Sequence, residues 1–291
     1  AFERPGAGGD PSAERLAPPI ADARPVEAGP AATPAATTRV FIGSEPRMRI
    51  AETVLRFSIE QGASSPAEIV SMDYSKGGVW AGWDMGRPAG RPATGAIHAE
   101  EHAVWLTDFT NFRWAIPEVC GFTGRAIVMD VDILVLGDVH ELFNLPMSKP
   151  ILALSPGETG VMLFDCSAFR RLAGWPTVAE MKQSGWGIRR YVELLQRDGA
   201  FGQLPERWNC LDGRGFAFGE TRLIHYSSKD TQPWRPYPER LFYRPHPDPA
   251  MEELWFHHAR AAREAGRFED PAATIQPLTA GTSISTRPTS G

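Results

Sequence analysis

Cysteine is scarce: the 291 residues contain three, Cys120, Cys166 and Cys210, at wide spacings. An odd number so placed provides neither a disulfide framework nor a CxxC metal site, and it suits a reduced, cytoplasmic protein. No apolar stretch approaches the roughly 20 residues that cross a bilayer. No basic segment followed by an apolar run marks a secretory signal at the start of the sequence. Positive charge is in short supply too. Thirty Lys and Arg against 35 Asp and Glu leave a formal charge of −5, which argues against a nucleic-acid-binding surface. A polyanionic small molecule would have to be met by local positive charge. Large apolar residues are sparse in the Ala-, Pro- and Gly-rich residues 1–38 and in the Thr-, Ser- and Pro-rich residues 266–291. Neither segment can bury enough surface to offset its ordering entropy, so both read as disordered arms around one folded unit, 39–265. The arms could tether the protein at a membrane-bound assembly, although nothing basic or amphipathic in them supports that peripheral association.

The folded part is organised around Gly124–Val139, GRAIVMDVDILVLGDV. Its long apolar run, rich in β-branched residues, reads as a continuous strand buried on both faces. Two carboxylates within it, Asp130 and Asp132, would be costly to bury unpaired and call for a positive partner, a divalent cation being the simplest. Upstream, Val40–Ile42 forms a short strand ended by Gly43-Ser44. A helix starting at Pro46 follows, with Met48, Ile50, Ala51, Val54, Leu55 and Ile59 on one face, and Gly62 closes it. Glu68–Met72 is the next strand. This β-α-β order predicts an α/β fold with a mostly parallel sheet covered by helices, and it puts Gly43, Ser44 and Glu45 at the edge of a site beyond the strand ends. A helix is expected over Thr110–Val119 and strands over Ile151–Leu154 and Gly160–Phe164. Helices are expected near Ala168–Gly174, Val178–Gln183 and Arg189–Gln196, then a strand over Arg222–His225 and a helix over Asp248–Ala265 capped by Asp248-Pro249.

Three constellations compete for the chemistry. His98-Ala99-Glu100-Glu101-His102 matches H-x-x-E-H, an inverted zinc-protease pattern, but it lacks the flanking helix and a third ligand. His257-His258 reads as a solvated helix face. The Asp130/Asp132 pair could serve as nucleophile and acid/base of a haloacid-dehalogenase-type phosphohydrolase. That pattern places its D-x-D on the first strand and needs a downstream acidic pair, which is missing. In the third reading the two aspartates and His225, itself at a strand end, are ligands of Mn²⁺ or Mg²⁺. Imidazole beside two carboxylates suits a borderline ion such as Mn²⁺.

From Arg39 to Trp234 the sequence resembles the family 8 glycosyltransferases, the group of glycogenin and the bacterial lipopolysaccharide galactosyl- and glucosyltransferases. The resemblance rests on an ordered set: RVFIGSEPRMRIAETVLRFSI, FTNFRWAIPEVCG with Arg113, the D-x-D strand, GVMLFD at 160–165, Trp208-Asn209, and IHYSSKDTQPW. It implies a GT-A fold and a retaining hexosyltransferase that uses a nucleotide-sugar, usually a UDP-hexose. Its acceptor would be a saccharide, lipid-linked glycan or protein. Asp130, Asp132 and His225 would hold the metal against the diphosphate. Phe41, Ile42, Gly43, Ser44 and Glu45 would line the nucleoside pocket, with Val131 beside the donor, and Arg113 would approach it.

The departures from the family pattern point to a divergent bacterial branch. Glu158 stands where relatives have Asn and joins the catalytic candidates. The Asp-Gln pair that approaches the sugar in relatives has no counterpart around Trp186–Tyr191. The terminal motif, usually H-x-x-G-x-x-K-P-W, is one residue longer here and carries Gln232 before Pro233-Trp234, with Lys229 as the substitute for the phosphate-binding lysine. Asn209 and Asp212 are candidates for sugar or acceptor contacts, and Trp208, Trp234, Trp80 and Trp83 for stacking on sugar or donor. A member that binds nucleotide-sugar without transferring it is the non-enzymatic alternative.

Overall fold

A computed structural model describes residues 37–84, 107–237 and 241–269. The segment His98–His102 and most of both arms lie outside the described residues. Thr38 is already buried, its hydroxyl 2.7 Å from His140 Nδ1. Near the other end, Arg267 pairs with Glu60 at 2.6 Å.

Strand β1 (Arg39–Gly43) leads through a 3-10 turn at Pro46–Met48 into helix α1 (Arg49–Gly62) and then β2 (Glu68–Met72). Proline opens that turn, where a missing N–H costs nothing. Gly62 is the last residue of α1, and the reason for glycine is close packing: a Cβ there would come within 2.8 Å of the Gly137 carbonyl. The expected helix over Thr110–Val119 is a 3-10 turn at Phe112–Ala115 running into the single turn α2 (Ile116–Val119). Pro117 explains the late start of α2, since its nitrogen can serve only in a first turn. Beyond it come β3 (Arg125–Asp130), β4 (Ile133–Val135), α3 (Val139–Phe143), β5 (Ile151–Ser155) and β6 (Glu158–Asp165). The expected helix at Ala168–Gly174 is a 3-10 segment, Cys166–Arg171, whose first turn is capped by Asp165. Helix α4 (Val178–Ser184) has a capping box of Thr177 and Glu180. It is followed by α5 (Ile188–Arg197), β7 (Phe201–Gln203), β8 (Cys210–Leu211), β9 (Leu223–His225) and α6 (Pro249–Glu264), the last capped by Asp248.

The main sheet has the order β2-β1-β3-β6-β5-β7. β1 runs parallel to β2 and β3, and β5 parallel to β7, while β6 lies antiparallel between β3 and β5. Only β6 is reversed, so the expectation of a mostly parallel α/β sheet flanked by helices holds. A second sheet, β4-β9-β8, joins segments distant in sequence.

The expectation of one continuous strand through the D-x-D is corrected here. The chain leaves β1 after the Gly43–Asp130 register pair and takes up β9 from the Ile133–His225 pair. Asp130-Val131-Asp132 is thus a crossing between two sheets. Ile127, Val128, Ile133 and Leu134 are all buried, so the apolar pattern runs unbroken through the crossing. Only the carboxylates mark the bend.

Candidate metal centre

The crossing places Asp130 at the carboxyl end of β3, beside Gly43 at the end of β1. β9 ends in His225 opposite Ile133, so the imidazole arrives from the small sheet. One ligand atom from each of Asp130, Asp132 and His225 lies within 4.8 Å of the others. The aspartate side chains keep about a fifth of their surface open, 22% and 19%, while His225 is buried.

Each of these three side chains is held by neighbours. Arg113 donates from Nη2 to Asp130 Oδ1 at 2.5 Å. The same guanidinium donates from Nε to the Thr110 carbonyl and from Nη1 to the Thr159 carbonyl and hydroxyl. Gln232 Nε2 donates to Asp132 Oδ2 at 2.9 Å. His225 Nδ1 is 3.0 Å from Asn209 Oδ1, and its Nε2 is 3.3 Å from Asp132 Oδ1. Glu158 Oε1 accepts from the Gly160 amide and lies 3.5 Å from His225 Nδ1. Gly160 makes room for the ring, since a Cβ there would overlap His225.

Electrostatics follow from this crowding of acids. Burial and the charges of Asp132 and Glu158 push the Asp130 carboxyl up to about 6, against the pull of Arg113. Burial alone would lower the His225 pKa, but Asp132, Glu158 and Asp130 raise it to about 9. The acids thus demand a positive charge among them. Asp132 Oδ1 is buried and accepts no hydrogen bond among the described residues. A cation fits this set: two carboxylates, an imidazole and an orphaned acceptor suit Mn²⁺ or Mg²⁺.

The remaining candidates divide. Lys229 stands in a 3-10 turn at Lys229–Thr231, half-buried, with no hydrogen bond or ion pair among the described residues. Burial lowers its pKa, against the pull of Asp132 and Glu45. Phe41, Ile42, Gly43, Ser44, Glu45 and Val131 are all buried, and the Phe109 ring packs on Gly43 where a side chain would otherwise stand. The Glu45 carboxylate is engaged by Arg47 at 2.6 Å, by the Asp108 amide and by the Tyr237 hydroxyl.

Three residues expected at sugar or acceptor contacts make internal contacts. Trp208 is enclosed in the core, so neither face of its indole is open for stacking. Asn209 is buried with its amide turned to His225 and Glu158. Asp212 is buried and accepts from the Ser227 and Ser228 hydroxyls and the Ser228 amide, so it pins the turn that leads to Lys229. Trp80 and Trp83 pack on Phe112 inside the core, and the half-buried Trp234 packs on Tyr226 and Trp255. Arg113, expected to approach the donor, is buried and bonds Asp130 and Thr159. Sequence reasoning missed Gln232 as the partner of Asp132. Its one signal was a neutral amide at the position where a lysine is usual.

No family model matches the sequence. Among curated proteins it is similar to Protein CDI of Arabidopsis thaliana, 25% identical across 65% of this chain and 77% of that protein. Among solved structures it superposes on the galactosyltransferase LgtC in complex with donor and acceptor sugar analogues. That match has a TM-score of 0.50 and 12% identity and covers 79% of this chain and 100% of that one. An active-site mutant of LgtC gives a TM-score of 0.52 at 13% identity, covering 77% and 96%. The bifunctional glycosyltransferase WbbM gives 0.50 at 13% identity, over 77% of this chain and 49% of its own, so this chain spans about half of that protein. At such identities the likeness establishes the fold: this is a GT-A glycosyltransferase-like α/β fold with an Asp-Asp-His cluster at its strand ends. A haloacid-dehalogenase arrangement, with D-x-D on the first strand, is not this topology.

Proposed function

We propose that the chain is a metal-dependent glycosyltransferase that moves a hexose from a nucleotide-sugar, a UDP-hexose first among them, to a saccharide, lipid-linked glycan or protein acceptor with retention. The observation that carries this reading is the convergence of Asp130, Asp132 and His225, from two different sheets, at the carboxyl ends of GT-A strands. These three residues would hold Mn²⁺ or Mg²⁺, which when bound offsets charge on the departing nucleotide diphosphate as a Lewis acid.

The protein's own groups divide the remaining work. Lys229, without a partner among the described residues and in the field of Asp132 and Glu45, is the group for a donor phosphate. Arg113 acts through Asp130 by fixing the carboxylate with a charge-assisted bond. Glu158 keeps a quarter of its side chain open beside the cluster, which suits a hydrogen bond to a sugar hydroxyl. The backbone at Gly43–Glu45 and Val131 borders the same strand ends, and Trp234 closes the motif that begins at His225.

The involvement of Trp208, Asn209 and Asp212 in internal contacts favours a second reading, a protein that binds nucleotide-sugar and transfers nothing. Thermal-shift screening of nucleotide diphosphates and their sugars, with and without Mn²⁺, tests the first reading. The expected result is a metal-dependent rise in Tm with a uridine nucleotide. No shift with any nucleotide would contradict both readings. Slow donor hydrolysis by the shifted complex separates enzyme from binder, since a transferase lets water stand in for the acceptor.

A further inference from the structure

We propose that Asn209 and Gln232 are positioning residues that select which atoms of His225 and Asp132 face a cation; this rests on the metal-site reading above. An imidazole can offer either nitrogen to a metal, and the choice is set by what the other nitrogen bonds. Here Nδ1 lies 3.0 Å from the carbonyl oxygen of the Asn209 side chain, an acceptor only. The orientation of that amide is fixed from behind, because its Nδ2 faces the Glu158 carboxylate at 3.5 Å. Nδ1 must therefore carry the proton, and Nε2 is the nitrogen left for a metal, on the side of Asp132.

Gln232 makes the matching choice on the carboxylate. Its Nε2 donates one hydrogen to Asp132 Oδ2 and the other to the Tyr226 carbonyl, both at 2.9 Å. With Oδ2 so engaged, Oδ1, which has no donor among the described residues, is the oxygen that faces His225 Nε2, at 3.3 Å. A neutral amide orients Asp132 without cancelling its charge. An ammonium group at this distance would compete with the cation for the same carboxylate. Gln232 is 2% exposed and both its hydrogens are used, so it has no donor left for a phosphate.

Mn²⁺ titrated into the full chain without nucleotide, with free ion counted by electron paramagnetic resonance, tests the inference. Asn209→Leu and Gln232→Leu should each weaken binding roughly 10- to 100-fold. Asn209→Asp, which keeps the acceptor, should restore affinity to within a few-fold of wild type. Gln232→Lys should bind more weakly than wild type although it restores a hydrogen-bonding side chain. In protein with ¹⁵N-labelled imidazole and Zn²⁺ as diamagnetic probe, the His225 ring should keep its proton on Nδ1. Wild-type affinity in folded Asn209→Leu and Gln232→Leu, or coordination through Nδ1, overturns the inference and leaves the metal site standing. Failure of the wild type to bind Mn²⁺, with or without UDP, overturns both.

Discussion

The two sheets meet at one crossing but are built in opposite ways. The main sheet is made of strands of three to eight residues, and its central segments, Val40–Ile42, Ala126–Met129 and Val161–Phe164, are fully enclosed by apolar neighbours. The small sheet has strands of two or three residues, drawn from positions 133, 210 and 223 onward. The first stands on its own core and supplies Asp130 at a strand end. The second has little core of its own; it leans on α1 and α6 through Leu134, Ile224, Val54, Trp255 and Phe256, and it supplies His225. The comparison teaches that one candidate ligand stands on a well-buried frame while another depends on side-chain clamps. The polar contacts of Asn209 and Gln232 and the close packing at Gly160 therefore matter more to His225 and Asp132 than strand pairing does.

The largest effect on stability is expected at the carboxyl end of β3 in the main sheet. Arg113→Met would leave Asp130 without its buried partner and the Thr159 carbonyl without its donor. Breaking a buried ion pair costs about 3 kcal/mol or more, so urea unfolding should show a loss of that size. A change under about 1 kcal/mol would mean that the pair is as weak as a surface contact.

Next in size is an acid-dependent effect behind both sheets. Glu52 on α1 is buried among Arg49, Arg56 and Lys76. Burial works to raise its pKa, but the hydroxyls of Ser71 and Ser44 and the charges of Lys76 and Arg56 hold it at about 2. A carboxyl depressed in the folded state stabilises above its ordinary pKa and loses that stability as pH falls. About 2–3 kcal/mol should therefore disappear between roughly pH 5 and pH 2. Glu52→Gln should lose that amount at pH 7 and show a correspondingly flatter acid limb in chemical denaturation. An unchanged acid limb would contradict the assignment.

A smaller loss of stability with a specific readout is expected where the sheets touch. In Gly160→Ala the new methyl would overlap the His225 ring, which is buried and cannot swing away. Overpacking of this kind costs about 1–3 kcal/mol. The comparison of the sheets predicts that Mn²⁺ affinity suffers more than Tm. Intact metal binding in a folded Gly160→Ala protein would show that His225 is not held by this contact.

Much of this was legible in the sequence, for physical reasons that also explain the gaps. β1, α1, β2, β5 and β6 announce themselves because their periodicity is local. The same reasoning ran β3 and β4 together, because a crossing between two buried sheets keeps its apolar pattern. The Asp130-Asp132-His225 cluster could be named because carboxylates in an apolar run and a histidine at a strand end are conspicuous. Their partners could not. Gln232 lies 100 residues from Asp132 and Arg113 lies 46 from Thr159, and no local pattern predicts such pairings. The burial of Trp208, Asn209 and Asp212 was hidden for the converse reason: their residue types suit sugar contacts, and no local pattern shows that the fold encloses them.

The central claim is that Asp130, Asp132 and His225 form a metal centre for a nucleotide diphosphate. Calorimetric titration of UDP into the wild type and Asp132→Ala, each with and without Mn²⁺, tests it most directly. The account predicts binding by the wild type only when Mn²⁺ is present, and none by Asp132→Ala under either condition. Binding that is indifferent to the metal, or unchanged by Asp132→Ala, would contradict it.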